Sequence, residues 1–260
     1  MALFGICTGL GASAAVKLAG WDFVEENVQG LFKGAEPDDK YDSKGRIAAS
    51  VLPVYAANSL LPGSLKVTGP VVDMYALRRY MTNVLQRADE ANCRRLVFGS
   101  GGARLVPPDW DKARATDQIV EFGKMIAPIA QQNRVTIVLE HLSLAECNIV
   151  NDLTEELAIV RRVNHPAFRA LLDTYHFWID GLPISQIEPL LPQIRHVHLA
   201  DKDGRVAPGE SKTSDYRPIF ALLKRAGYDG GLSVEAMGFS DIAGTAPRVL
   251  AFIKQQWSDA

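Results

Sequence analysis

The run VTIVLEH, Val135 to His141, is rich in β-branched and apolar residues until it ends in a glutamate and a histidine. Such a composition reads as a strand. Two-residue alternation then puts Thr136, Val138 and Glu140 on one face and Ile137 and Leu139 on the other. The carboxylate therefore falls at the C-terminal end of a face that is otherwise suited to burial. Seven further runs have the same character: LFGICT (3–8), DFVEEN (22–27), VLPVYAAN (51–58), RRLVFGS (94–100), RALLDT (169–174), IRHVHLA (194–200) and GLSVEAM (231–237). Helical patterns lie between them, among them VVDMYALRRYMTNVLQRADEA, ATDQIVEFGKMIAPIAQQN, TEELAIVRRV and YRPIFALLKRAG. The last ends in Gly227, the residue expected just past a helix C-terminus.

Parallel strands need crossover connections, so strands alternating with helices predict an α/β fold with a parallel sheet. Eight such units in 260 residues predict a single (β/α)8 TIM barrel domain spanning 1–260. A doubly wound sheet is the rival. The polar residues that close the late strands favour the barrel, whose chemistry gathers at the C-terminal ends of its strands.

With 47% hydrophobic residues and a net charge of −2, the chain has no basic excess. That argues against nucleic acid or an anionic membrane as principal partner. The opening MALFGICTGLGASAA lacks the basic region of a secretory signal. The three cysteines, Cys7, Cys93 and Cys147, form no C-x-x-C pair, which suits a reducing, cytoplasmic setting.

TGLGASAA contains Gly9, Gly11 and Ala14 in a G-x-G-x-x-A pattern after a strand, with Glu25 or Glu26 ending the next. This is the pattern of a dinucleotide site. An NAD-linked oxidoreductase on that motif would leave the late-strand acids and imidazoles without a task, so a plain strand-to-helix turn is expected.

In the last four strands, alternation aligns Thr136, Val138 and Glu140; Leu171 and Asp173; His196 and His198; and Ser233, Glu235 and Met237. If these faces point into a barrel, Glu140, Asp173, His198 and Glu235 converge near its mouth. Singly, each acid has an ordinary explanation as a helix cap or salt bridge. Together they need a counter-charge, because close like charges and burial both disfavour ionised carboxylates. One divalent cation meets that need. Oxygen donors with one nitrogen and no thiolate suit Mn2+, Mg2+ or Co2+, and Arg169 or Arg205 supplies part of the compensation. His196, deeper in its strand, is expected as a hydrogen-bonded core histidine, His141 against a helix, and His165 in a surface loop.

VLEHLSLAE, LLDTYH, HVHLAD followed by GR and PGE, and SVEAM resemble the motifs of the xylose-isomerase-like barrels, especially the ketose 3-epimerase and hydroxypyruvate isomerase branch. The resemblance runs in order through the second half of the chain, with weaker support from NSLLPGSLKVTGP and FGSGGAR. It implies one divalent metal, Mn2+ first, held by Glu140, Asp173, His198 and Glu235. It also implies substrate contacts by Glu146 (E-x5-E after Glu140), His176 (D-x-x-H after Asp173) and Arg205. Members of this branch often form dimers or tetramers, so a homo-oligomer is among the expectations. The related abasic-site endonucleases carry extra histidines, which AANSLLPG and FGSGGAR lack.

The expected activity is metal-dependent isomerisation or epimerisation of a keto-sugar through a cis-enediolate, with Glu140 and Glu235 as acid and base. The same intermediate admits lyase chemistry on a keto-sugar or keto-acid: dehydration, β-elimination or decarboxylation. A non-catalytic sugar-binding module is the remaining alternative. No phosphate-gripping glycine cradle follows strands seven and eight, which favours an unphosphorylated sugar, although Arg205 and Lys202 are candidates for an acidic group. FGSGGARLVPPDW reads as a substrate-covering loop with Trp110 stacking on the sugar, or else as a plain Gly/Pro turn, the first being preferred. Asn58 is expected to point inward, and Tyr175, Phe177 and Trp178 to pack the mouth or a subunit contact. Cys7 and Cys147 are expected to be buried and inert.

Overall fold

The computed structural model describes residues 2–239 and 241–260. Eight parallel strands close into a barrel in chain order. They are β1 (Leu3–Cys7), β2 (Phe23–Asn27), β3 (Val54–Asn58), β4 (Arg95–Phe98), β5 (Thr136–Glu140), β6 (Phe168–Asp173), β7 (Ile194–Leu199) and β8 (Gly231–Val234). Seven strands lie within their sequence runs, and β6 begins one residue before its run, at Phe168. Pairing of β1 with β8, Leu3 opposite Gly231, closes the ring, so no strand edge is left open.

The principal helices around it are α1 (Ser13–Leu18), α2 (Met74–Glu90), α3 (Lys112–Gln132), α4 (Leu153–Val163), α5 (Thr174–Ile179), α6 (Arg217–Arg225) and α7 (Ile242–Asp259). Aspartates cap several of them: Asp73, Asp111, Asp152, Asp173 and Asp241 each accept a backbone N–H of the first turn. Such caps satisfy donors that the helix itself leaves free. Gly227 follows α6 with φ +69°, and its N–H returns to the Lys224 carbonyl. That left-handed position favours glycine.

Strand alternation separates two apolar layers. Ile137, Leu139 and Phe168 pack outward into the core under the helices, whereas Val97, Val138 and Leu171 form a small cluster of their own within the lumen. Burying a side chain of this size contributes about 1.5–3 kcal/mol relative to exposure, so a one-residue slip in register would be costly. TGLGASAA forms the expected turn: Leu10–Ala12 is a short 3-10 segment leading into α1, and Glu26 Oε2 accepts the Leu10 N–H at 2.8 Å. No helix among the described residues is long and apolar enough to cross a membrane.

Candidate active site

Lumen alternation carries four polar side chains to the C-terminal mouth. Glu140 is the last residue of β5 and Asp173 the last of β6; His198 lies one residue before the end of β7. Glu235 follows directly after β8, its N–H held by the Leu199 carbonyl. One ligating atom from each of Glu140, Asp173, His198 and Glu235 lies within 4.8 Å of all the others. The spacing is tightest around His198 Nδ1: 3.1 Å to Glu140, 3.5 Å to Glu235 and 3.8 Å to Asp173.

This collection of three carboxylates around one imidazole is electrostatically strained. Burial pushes the Glu140 carboxyl up, against His198 and with Glu235 and Asp173. Burial acts on Glu235 in the same direction, but His198 and Arg205 outweigh it and hold Glu235 down at about 2. For His198 burial disfavours the charge, yet Glu25, Glu235 and Glu140 raise its pKa well above the ordinary value. Hard oxygen donors with one nitrogen at this spacing fit a divalent cation, which would relieve the repulsion that one imidazolium relieves only in part.

Glu140 depends on what its neighbours leave open. A Cβ on Gly99 would fall 2.1 Å from Glu140 Oε2, so the carboxylate occupies the space that glycine vacates. The buried Arg104 guanidinium donates to the carbonyls of Phe98 at 3.1 Å and Glu140 at 2.5 Å, tying the ends of β4 and β5 together. Asp173 divides its oxygens: Oδ1 caps α5 through the His176 N–H at 2.9 Å, and Oδ2 faces His198.

The three residues expected to touch substrate line one cavity with the two glutamates, about 320 Å3 in volume. His176 Nδ1 accepts the Ser143 N–H at 3.2 Å, so its proton sits on Nε2. That nitrogen is buried without a hydrogen-bond partner among the described residues, 3.9 Å from Glu146 Oε2. Arg205 bridges Glu146 at 2.8 Å and Glu235 at 2.7 Å and stacks over the Tyr175 ring at 4.9 Å. Its backbone is left-handed, φ +50°, a costly conformation for a non-glycine residue. Asn58 points inward as expected, donating to Glu235 Oε1 at 2.9 Å.

Below the mouth lies an acid that the sequence marks only as the end of the strand after the glycine motif. Glu25 of β2 is fully buried, with Oε1 2.9 Å from His198 Nε2 and Oε2 2.7 Å from His196 Nε2. A carboxylate only accepts, so it fixes the proton on His198 Nε2 and leaves Nδ1 to the cluster. Burial alone would raise Glu25; the two histidines reverse this and hold it well below the carboxylate range. The signal was present in DFVEEN, where alternation aligns Phe23 with Glu25. His196 is the hydrogen-bonded core histidine expected, and His141 lies buried against Glu156 of α4, 3.3 Å away.

Four expectations are corrected. Met237 lies beyond the end of β8 and is exposed, because the strand stops at Val234 and alternation ends with it. Trp110 turns toward α3: its indole donates to Gln118 at 3.1 Å, Arg114 covers its ring at 4.2 Å, and it does not line the cavity. Arg169 starts too early in β6 to reach the mouth and instead bonds Gln193 at the other end. Cys7 is only half-buried and reaches the cluster, its Sγ within 4.8 Å of ligating atoms of His198 and Glu235; desolvation and Glu25 raise its pKa well above the thiol value.

A closed parallel barrel with an acid–imidazole cluster suited to a divalent cation at its C-terminal mouth defines the class of protein. A profile of the family described as "Xylose isomerase-like TIM barrel" matches residues 13–256, and the chain belongs to that family. It is 29% identical over 136 residues to a ketose 3-epimerase of Arthrobacter globiformis, covering 52% of this chain and 46% of that one. It is 26% identical over 168 residues to a putative hydroxypyruvate isomerase of Mus musculus, covering 62% and 60%. The chain thus spans about half the length of the curated relatives it matches. The crystal structure of a D-allulose 3-epimerase from Methylomonas sp. in complex with D-allulose superposes with a TM-score of 0.82 at 20% identity, covering 98% of this chain and 97% of the other. That of a 3-keto-D-glucoside 4-epimerase from E. coli gives 0.81 at 19%, covering 98% and 100%. At these identities the likeness concerns the fold.

Proposed function

We propose that the protein is a divalent-metal-dependent epimerase or isomerase of an unphosphorylated keto-sugar, with Glu140 and Glu235 as the acid–base pair. The observation that carries this reading is the placement of both glutamates on one cavity, from strands separated by β6 and β7, with Asp173 and His198 between them. Glu140, Asp173, His198 and Glu235 would hold the cation. Bound there, it would supply Lewis acidity at the substrate's carbonyl oxygen and offset the charge of the cluster.

The chain's own groups account for the remaining steps. One glutamate removes the proton from the carbon beside the carbonyl, giving the enediolate of the sugar, and the other returns a proton. Return to the same carbon from the far face epimerises it; return to the former carbonyl carbon, with the neighbouring hydroxyl proton passing to the former carbonyl oxygen, isomerises the sugar. The His176 Nε2–H and the Arg205 guanidinium donate to substrate oxygens, and Glu146 accepts from a hydroxyl while holding Arg205. Burial raises both carboxyls, but His198 and Arg205 hold Glu235 down, so Glu140 is the more basic of the two and suited to proton abstraction.

The cavity also bears on substrate charge. Gln29, Asn58, Ser59 and Ser100 contribute neutral polar groups to its wall, and its guanidinium, Arg205, is already shared by two carboxylates. A phosphate or carboxylate substrate would have to compete with those carboxylates for Arg205. This favours a neutral ketose over the keto-acid that a hydroxypyruvate isomerase would take. Similarity to ketose 3-epimerases points the same way, toward C3 as the carbon altered.

The test is removal of metal by chelation, followed by reloading with Mn2+, Mg2+ or Co2+ and assay on a panel of ketoses and on hydroxypyruvate. Ketose conversion that is lost on chelation and restored by a divalent cation supports the reading. Turnover unaffected by chelation, or confined to hydroxypyruvate, overturns it.

A further inference from the structure

The alternation that sends Glu140 and Asp173 to the C-terminal mouth sends other residues to the opposite end of the lumen. Arg95, Thr136 and Arg169 each stand two residues before Val97, Val138 and Leu171, the lumen cluster. Arg195, near the start of β7, lies beside them: Arg95 Nε reaches across the barrel floor to the Arg195 carbonyl at 3.3 Å. Three guanidinium groups therefore gather at the N-terminal end of the barrel.

Their hydrogen bonds all go to neutral groups. Arg95 donates to the Arg94 carbonyl at 2.9 Å and to Thr136 Oγ1 at 3.5 Å. Arg195 donates to the carbonyls of Pro192 and Ile194 at 3.0 and 2.8 Å, and Arg169 to Gln193 Oε1 at 2.8 Å. Among the described residues both bonds of Arg195 use Nη1, as does that of Arg169, so further donors of both forks remain. Among the described residues none of the three arginines forms an ion pair, whereas Arg87, Arg94, Arg134, Arg162, Arg205 and Arg217 all do. Burial and the like charge of Arg195 both press Arg169 toward giving up its proton, which marks a local excess of positive charge.

The same end of the barrel holds a cavity of about 490 Å3, larger than the one over the carboxylate cluster. Arg95, Arg195, Tyr55 and Tyr228 form its polar wall; Leu191, Pro192 and Ala226 contribute apolar surface. Asp229 is the acid at its border, and it is exposed and forms no ion pair with the three arginines.

The geometry points to a second binding site here, for a small organic oxyanion gripped by the Arg95 and Arg195 guanidinium groups. Guanidinium forks match the paired oxygens of phosphate and carboxylate, and such bonds are stronger than those to the neutral carbonyls now engaged. Arg169 adds charge from the barrel floor, and the apolar wall takes the carbon part of the ligand. The site lies at the opposite end of the barrel from the Glu140 cavity.

The experiment uses the whole chain, stripped of metal, in 150 mM NaCl, titrated calorimetrically with inorganic phosphate, sulfate or citrate and followed in parallel by thermal unfolding. Saturable binding of one equivalent is expected for at least one of them, with a rise in Tm that equal ionic strength of NaCl does not give. Phosphate or sulfate binding without citrate would identify a phosphate-type ligand, and citrate alone a carboxylate. Arg195→Gln and Arg95→Gln should each weaken binding about tenfold, or about 1.4 kcal/mol, while Arg205→Gln leaves it unchanged. Absence of saturable binding to every probe, full affinity in both floor variants, or loss in Arg205→Gln would overturn the assignment.

Discussion

Replacing Glu25 by glutamine isolates what a buried charge does for the cluster above it. The side chain keeps its volume, so no cavity opens. Its carbonyl oxygen continues to accept from His198 Nε2, and its new amide donates to His196 once that ring moves its proton to Nδ1, which has no partner among the described residues. What is lost is the negative charge 2.9 Å from His198 and 2.7 Å from His196. A hydrogen bond to a charged group is worth about 1.5–3 kcal/mol and a neutral one about 0.5–1.5. Two such exchanges give a stability cost of about 2–3 kcal/mol. Metal ligands that lose their carboxylate support usually lose 10–100-fold in affinity, equivalent to about 1.4–2.7 kcal/mol. Calorimetric titration of Mn2+ into metal-free wild type and Glu25→Gln measures the second quantity, and thermal unfolding without metal measures the first. A folded variant that binds Mn2+ within twofold of wild type would refute the claim that Glu25 prepares His198 for the cation.

Other perturbations test separate parts of the account. Gly99→Ala places a methyl group where Glu140 Oε2 now sits and should lower turnover by at least ~10²-fold, the scale of a lost acid–base group; circular dichroism checks that the barrel persists. Tyr216→Phe removes the phenol that donates to buried Asp201 at 2.8 Å, at a cost of about 1.5–3 kcal/mol in urea unfolding. Asp201 also receives the Gly209 and Ser211 N–H groups. Mn2+ affinity should climb with pH through neutrality and beyond. His198 has a raised pKa, so its imidazolium stabilises the metal-free fold fully below the ordinary histidine value of about 6.5. That stabilisation disappears as pH rises through the folded value, and a cation must displace the proton at lower pH. Titration in buffers of different ionisation enthalpy should therefore reveal proton release, whereas pH-independent affinity between pH 6 and 8.5 would contradict this.

Much of the fold was legible because strand runs, helical patterns and capping residues agreed with one another. Strand alternation also predicted the convergence of Glu140, Asp173 and His198, since each still lies within a regular strand. It failed at Met237 because β8 ends three residues earlier, and regular alternation says nothing about a turn. Trp110 was misread for a related reason: the loop that carries it is long enough to fold back on α3, a choice made by Gln118 and Arg114 rather than by local sequence. Arg169 shows that facing the lumen does not set depth; its early position in β6 sends it to the floor. Glu25 escaped notice because an acid in a strand looks ordinary until its partners, more than 170 residues away in β7, are known. The space beside Glu140 that Gly99 supplies likewise exists only once β4 and β5 are paired.

Hydrogen exchange at the substrate's reacting carbon tests the central claim most directly. The Mn2+-loaded protein is incubated in D2O with a panel of unphosphorylated ketoses, and deuterium at the carbon beside the carbonyl is followed by NMR. Wild type should introduce solvent deuterium into at least one ketose. Glu140→Gln and Glu235→Gln should each reduce that exchange by ~10²–10⁴-fold while remaining folded. Exchange at the wild-type rate in both variants, or none by wild type with any ketose, would contradict the assignment of these two glutamates as the acid–base pair of a keto-sugar epimerase or isomerase.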